Sequence, residues 1–223
     1  MIQLSPNESR VLSVLIEKAQ TTPQQYPLTL NSLITGSNQK SNREPVLTLS
    51  EDDVLDAIDG LRVKGLMREV MLTGSRVQKF RHVAREGLDV GTNELVVLAE
   101  LLMRGPQTVG ELRTRASRMH PLESTDIVKN LLDHMMSLEE PMVRELPPVP
   151  GSRAARYVQL LCPNLHPLGA TSSQAISPSA RDASVPDLAD RVEKLEDEVA
   201  KLTRQLQVLT QALGGTASPS DDD

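Results

Sequence analysis

Tryptophan is absent from these 223 residues, phenylalanine occurs once and tyrosine twice. A base-stacking surface needs several exposed rings, so three aromatics argue against one. Cys162 is the only cysteine, which excludes an internal disulfide framework and any thiolate metal cluster within one chain. No apolar run approaches the roughly 20 residues that cross a bilayer, and the start MIQLSPNESR has no signal-peptide core; the expectation is a soluble, cytoplasmic protein. The four histidines (82, 120, 134 and 166) show no ligand spacing, and there is no HExxH, P-loop or GxSxG pattern. Glu139 with Glu140 reads as a solvated helix end rather than an acid/base pair, and Cys162 as a packed small hydrophobe rather than a nucleophile. No enzyme, cofactor or metal is therefore expected.

The net charge of −6 is unevenly spread. Residues 1–163 carry 19 Lys+Arg against 20 Asp+Glu, whereas residues 164–223 carry 5 against 10. The acidity belongs to the tail, and the rest can still present a basic face of modest strength.

The chain repeats itself once. GSRVQKF at 74–80 returns as GSRAARY at 151–157, and NESRVLSVLIEK at 7–18 as NELVVLAELLMR at 93–104. Two copies of a module of about 80 residues account for this. In copy one, Ser5, Pro6 and Glu8 predict a capped helix start, followed by Leu4, Val11, Leu12, Leu15, Ile16 and Ala19 on one face. A second helix starts at Thr29, as its counterpart does at Thr108 with Glu111. A third starts at Ser50 with Asp53 and buries Val54, Leu55, Ile58 and Leu61. After Gly65 the period becomes two, predicting a β-hairpin over LMREVMLTGSRVQKFRHV. Copy two repeats the pattern with DIVKNLLDHMMSL, PMVREL and ARYVQLL. Phe80 and Tyr157 are expected as core fillers.

Helix, helix, helix, hairpin is the order of a winged helix. The reading is a mainly α chain with small β-hairpins (α+β): winged-helix domains at 1–87 and 88–163, a flexible linker at 164–186, a coiled-coil helix at 187–214 and an acidic tail at 215–223. Leu188, Val192, Leu195, Val199, Leu202, Leu206, Leu209 and Leu213 are spaced alternately by four and three. β-Branched a and Leu d positions favour a parallel homodimer, and Arg191 can reach Glu196 of a partner helix. A helix folded back on its own domains is the alternative.

The run EKAQTTPQQYPLTLNSLITGSNQKSNREPVLTLSE, with RGPQTVGELRTRASRM and GSRAARYVQL, resembles the uncharacterised bacterial YceH-like family. The resemblance covers residues 4–162 and extends to the heptads. It implies a tandem winged-helix protein and no known activity.

The third helix of copy one, EDDVLDAIDGLRVK, carries Asp56 and Asp59 where a groove-reading helix would meet phosphates; copy two offers the mixed set Asp126, Lys129, Asn130, Asp133 and His134. Cations gather elsewhere: Arg76, Lys79, Arg81 and Arg85 on or after the first wing, Arg153 and Arg156 on the second, and Arg113, Arg115, Arg118 and His120 after the second helix of copy two. Strand alternation puts Lys79 and Arg81 opposite Phe80. The stretch GSNQKSNREP at 36–45 offers Asn38, Gln39, Lys40, Asn42 and Arg43. Gly36, Asn38, Asn42 and Pro45 suit a turn, yet the connection is long, and long polar loops on a rigid scaffold tend to bind. The expectation is a dimeric binder of double-stranded DNA through wings and this loop. The alternative is a protein-protein adaptor, which the acidic third helix fits better. Neither needs a membrane.

Overall fold

Ser5 accepts from the Glu8 amide at 3.2 Å while Glu8 accepts back from the Ser5 amide at 2.6 Å, so α1 (Pro6–Thr21) starts where the sequence predicts. A computed structural model describes residues 2–71 and 77–166. Arg76 and every heptad position from Leu188 to Leu213 lie outside the described residues, as do residues 167–186 of the linker and the acidic tail; of the described linker residues, Leu165 and His166 are buried. The described residues form a mixed, α+β arrangement of seven α-helices and small antiparallel sheets.

A 3₁₀ turn at Pro23–Gln25 follows α1. Next come α2 (Leu30–Ser37), capped by Thr29, and α3 (Glu51–Val63), whose Ser50–Asp53 capping box is complete. The hairpin pairs β1 (Met67–Val70) with β2 (Lys79–His82). A short α4 (Ala84–Leu88), which the sequence reading missed, ends on Asp89 in the left-handed region and leads to α5 (Thr92–Arg104). Copy two then adds β3 (Gln107–Thr108), α6 (Val109–Ala116), α7 (Thr125–Ser137), β4 (Val143–Leu146) and β5 (Arg156–Gln159). Thr108 and Glu111 form the expected capping box.

Each hairpin has a third partner that periodicity did not reveal. β3 pairs with β5, and in copy one a single bridge joins Leu28 to Phe80. Strands of two residues or fewer are too short to leave an alternation in sequence.

Most expected core residues are buried, Phe80 and Tyr157 among them. Two of those expectations fail. Leu55 is 38% exposed: Val54, Ala57, Ile58 and Leu61 share the buried stripe at i, i+3, i+4 and i+7, and Leu55 sits a residue's rotation away. Ala19 is only partly buried.

Both copies fall within one compact unit, Met1–Gly169, and share one hydrophobic cluster. The equivalent helices α1 and α5 pack against each other, with each enclosed over ten consecutive residues, Glu8–Glu17 and Glu94–Met103. No helix of the described residues is long and apolar enough to cross a membrane.

Candidate functional site

Residues 36–45 build a clasp between the two copies, leaving Lys40, Ser41, Asn42 and Glu44 exposed. Gly36 and Ser37 still belong to α2. Asn38 then closes the loop by accepting from the Leu49 amide at 2.7 Å and donating to the Leu49 carbonyl at 2.9 Å. Asn42 takes a left-handed φ of 60°, which Asn tolerates, and accepts from Arg104 of α5. This geometry turns Arg43 inward.

Arg43 is 4% exposed. Its guanidinium donates to Glu17 Oε2 at 2.6 Å, Gln39 Oε1 at 3.0 Å, the Gly36 carbonyl at 3.2 Å, the Asn42 carbonyl at 2.9 Å and Met103 Sδ at 3.2 Å. Arg118 lies 3.3 Å from Glu17 Oε1 and 3.2 Å from Glu100 Oε2. Arg104 Nε lies 2.9 Å from Glu100 Oε1, an ion pair held by charge because its angle is poor for a hydrogen bond. Burial pushes the Glu100 carboxyl above its ordinary pKa, against the opposing pull of Arg104 and Arg118. At the edge, Arg115 donates to Gln107 Oε1 at 2.8 Å and pairs with Glu111.

The clasp continues along the loop. The Glu44 amide donates to the Met103 carbonyl at 2.8 Å, and His166 Nε2 lies 2.6 Å from the Glu44 carbonyl. Arg10 of α1, fully buried, donates to the Ser37 carbonyl at 3.3 Å and the Pro45 carbonyl at 2.6 Å. Burial, helped by the nearby Arg43 charge, pushes the Arg10 guanidinium down to about 10.

Of the residues the sequence singled out, Asn38, Gln39, Asn42, Arg43 and Arg118 thus meet in the clasp, with Arg115 beside it. Arg43 in particular is enclosed, not presented. Lys40 remains exposed at the loop tip. A sequence shows that Arg43 is a cation in a polar run; only packing shows that its two terminal nitrogens face Glu17, Gln39, Met103 and the Gly36 and Asn42 carbonyls.

The first hairpin is different. Antiparallel register sets Arg68 directly opposite Arg81, and Val70 opposite Lys79, so these four share the face turned away from Phe80. Arg68 and Arg81 are exposed and Lys79 partly so. Among the described residues none of the three cations has an ion-pair partner. Arg68 was missed by the sequence reading, although the Arg-Glu of MREV returns as Arg144-Glu145 in VREL. Below this face lies a notch of about 260 Å³ lined by Gly65, Arg68, Arg81, Val83, Glu86 and Gly87.

The second hairpin does not repeat it. Arg144 faces Val158, which is buried, while Arg153 is exposed and Arg156 half-buried. Tyr157 donates to Glu145 Oε2 at 3.1 Å, and Lys129 sits 5.3 Å from its ring centroid. The outer side of α3 shows Asp52, Asp56 and Asp59 with Leu55 and with Val63, which is 87% exposed; Asp59 pairs with Arg62 at 2.9 Å.

Among the described residues no group of three or more His, Cys, Asp or Glu could hold a metal ion. Cys162 is buried, its thiol pushed up by burial, and its backbone is held on both sides by Gln159 at 2.7 Å.

Residues 4–152 match the family described as "Protein of unknown function, DUF480". A UPF0502 protein of Geotalea uraniireducens is 46% identical over 89% of this chain and 90% of its own length. Another from Shewanella halifaxensis is 42% identical, covering 93% and 99%, and one from Klebsiella pneumoniae is 42% identical, covering 95% and 98%. The chain belongs to this uncharacterised bacterial family, the YceH-like group that its sequence resembles.

Proposed function

We propose that this is a tandem winged-helix protein that binds double-stranded DNA through the first hairpin and acts by binding rather than by catalysis. The observation that carries the reading is the face of Arg68, Lys79 and Arg81, three cations on one side of a hairpin with no carboxylate partner among the described residues. Phosphate oxygens are the complement to such a face. The element order supports the fold assignment: three helices and a hairpin occur twice, each with a short third strand contact before the second helix. Lys40 and Arg153 are exposed further contacts. The heptad from Leu188 to Leu213 joins two chains into a homodimer in this proposal, so that two hairpins reach the duplex; light scattering of the full chain checks the mass.

Fluorescence anisotropy with labelled random duplex tests the DNA reading. Three phosphate contacts on each of the two chains give a loss on the order of 10³-fold between about 50 and 200 mM salt. Arg81→Ala, which removes one contact from each chain, lowers the log–log salt slope by about 1.8. No binding at low salt ends this reading.

A second reading has its own observation. The outer side of α3 is acidic and carries the exposed Leu55 and Val63, which suits a protein partner and repels a phosphate backbone. Under this reading the chain is an adaptor, and Leu55→Asp with Val63→Asp removes partner capture without altering DNA binding.

A further inference from the structure

We infer that the notch under the first hairpin is a seat for one phosphodiester group. Arg68 and Arg81 stand directly opposite each other across the strands. Like charges in that position repel and weaken a hairpin, and among the described residues no carboxylate pairs with either. Both line the notch, which at about 260 Å³ falls below the roughly 300–1,000 Å³ of pockets that enclose a whole small molecule. Its size suits a single charged group.

Two glycines give that group room. Gly65, at φ +69°, has nothing within 4 Å of where a Cβ would stand, so the mouth is open there. At Gly87 a Cβ would lie 2.8 Å from both the Gly65 carbonyl oxygen and Leu66 Cδ2, so the floor closes only because Gly87 lacks a side chain. Glu86 supplies the third charge. Two guanidinium groups and one carboxylate leave the lining at +1, which a phosphodiester monoanion neutralises; the dianion of a phosphate monoester or of inorganic phosphate above its second pKa would leave one charge uncompensated beside Glu86 and costs more to desolvate. The second copy lacks the seat, since Val158 replaces the second arginine and is buried.

The seat deepens the DNA reading and rests on it for its natural ligand, yet the two fail separately. The test is an amide NMR titration of the full chain with a dinucleoside monophosphate, which carries one diester, and with inorganic phosphate at pH 8. The expected result is a saturable shift of the Gly65 and Gly87 amides with the dinucleotide and a several-fold weaker response to inorganic phosphate. Glu86→Gln narrows that difference several-fold. Arg81→Ala and Arg68→Gln each weaken dinucleotide binding tenfold or more, whereas Arg144→Ala on the second hairpin leaves it unchanged. Static amides at millimolar dinucleotide overturn the seat, even where duplex still binds elsewhere. Equal loss in Arg144→Ala also overturns it, because the response is then general charge attraction. Shifts that saturate without any duplex binding uphold the seat and end the DNA reading.

Discussion

Buried Arg43 and partly buried His82 show how much of this protein turns on single side chains. Arg43 spends its donors on Glu17, Gln39 and three further acceptors at the junction of the copies. Removing one partner of a buried pair leaves the other charge uncompensated, at about 3–5 kcal/mol. Arg118 still faces Glu17, so Arg43→Ala is expected near the low end, about 3 kcal/mol, read from the urea midpoint at constant m. Arg43→Lys does not restore it, since one ammonium cannot replace a planar fork of five donors. At His82 burial outweighs the attraction of Glu86 and pushes the imidazole down to about 4 from 6.5. The folded state therefore binds its proton later than the unfolded chain does. Stability is full above about pH 6.5 and falls as pH drops from 6.5 toward 4, by on the order of 3 kcal/mol from this group. His82→Gln flattens that slope by close to one proton, measurable as unfolding free energy against pH.

Among the elements, α1 departs most from its sequence pattern. Read alone it has an apolar stripe and a polar side made of Ser9, Arg10, Ser13 and Glu17. In the structure those four are buried too, because α2 and α3 cover part of the helix and α5 another part. Gly36 illustrates the consequence. The sequence offers it as a helix breaker, but it lies inside α2, where a Cβ would come within 2.7 Å of Val14 Cγ1. It is small because α1 and α2 cross closely there. Val14 is β-branched and stiff, so Gly36→Ala is expected to destabilise by about 1–3 kcal/mol through overpacking, despite the gain in helix propensity. A lowered urea midpoint checks this; a raised one removes the close-crossing account.

At the scale of the whole molecule the two copies behave as one body. Their shared cluster and the α1–α5 contact give neither copy a separate core. Equilibrium unfolding is expected to be a single transition, and the chain supplies its own probes because it has no tryptophan and one tyrosine in each copy. Tyr26→Phe leaves Tyr157 to report on the second copy, and Tyr157→Phe leaves Tyr26 to report on the first. Once each variant's own change in stability is measured by circular dichroism, tyrosine emission is expected to follow the global transition in both. A tyrosine signal that moves apart from the global transition refutes one cooperative unit.

Helix starts, hairpins and the duplication were legible because their causes are local. A capping box needs residues three apart, a stripe repeats within one helix, and alternation within one strand. Ser5 with Glu8, Ser50 with Asp53 and Thr108 with Glu111 carry that information in four residues each. The family, too, is written in runs of consecutive residues. What only the tertiary structure decided are facts about pairs distant in sequence. Arg43 meets Glu17 across 26 residues and Met103 across 60, so the loop that the sequence offers as a candidate binding surface is also a clasp. Arg68 meets Arg81 through strand register, so an overlooked cation joins the candidate interface. Burial and charge pairing are sums over all neighbours in space, and a linear sequence names the neighbours along the chain without saying which others folding will bring.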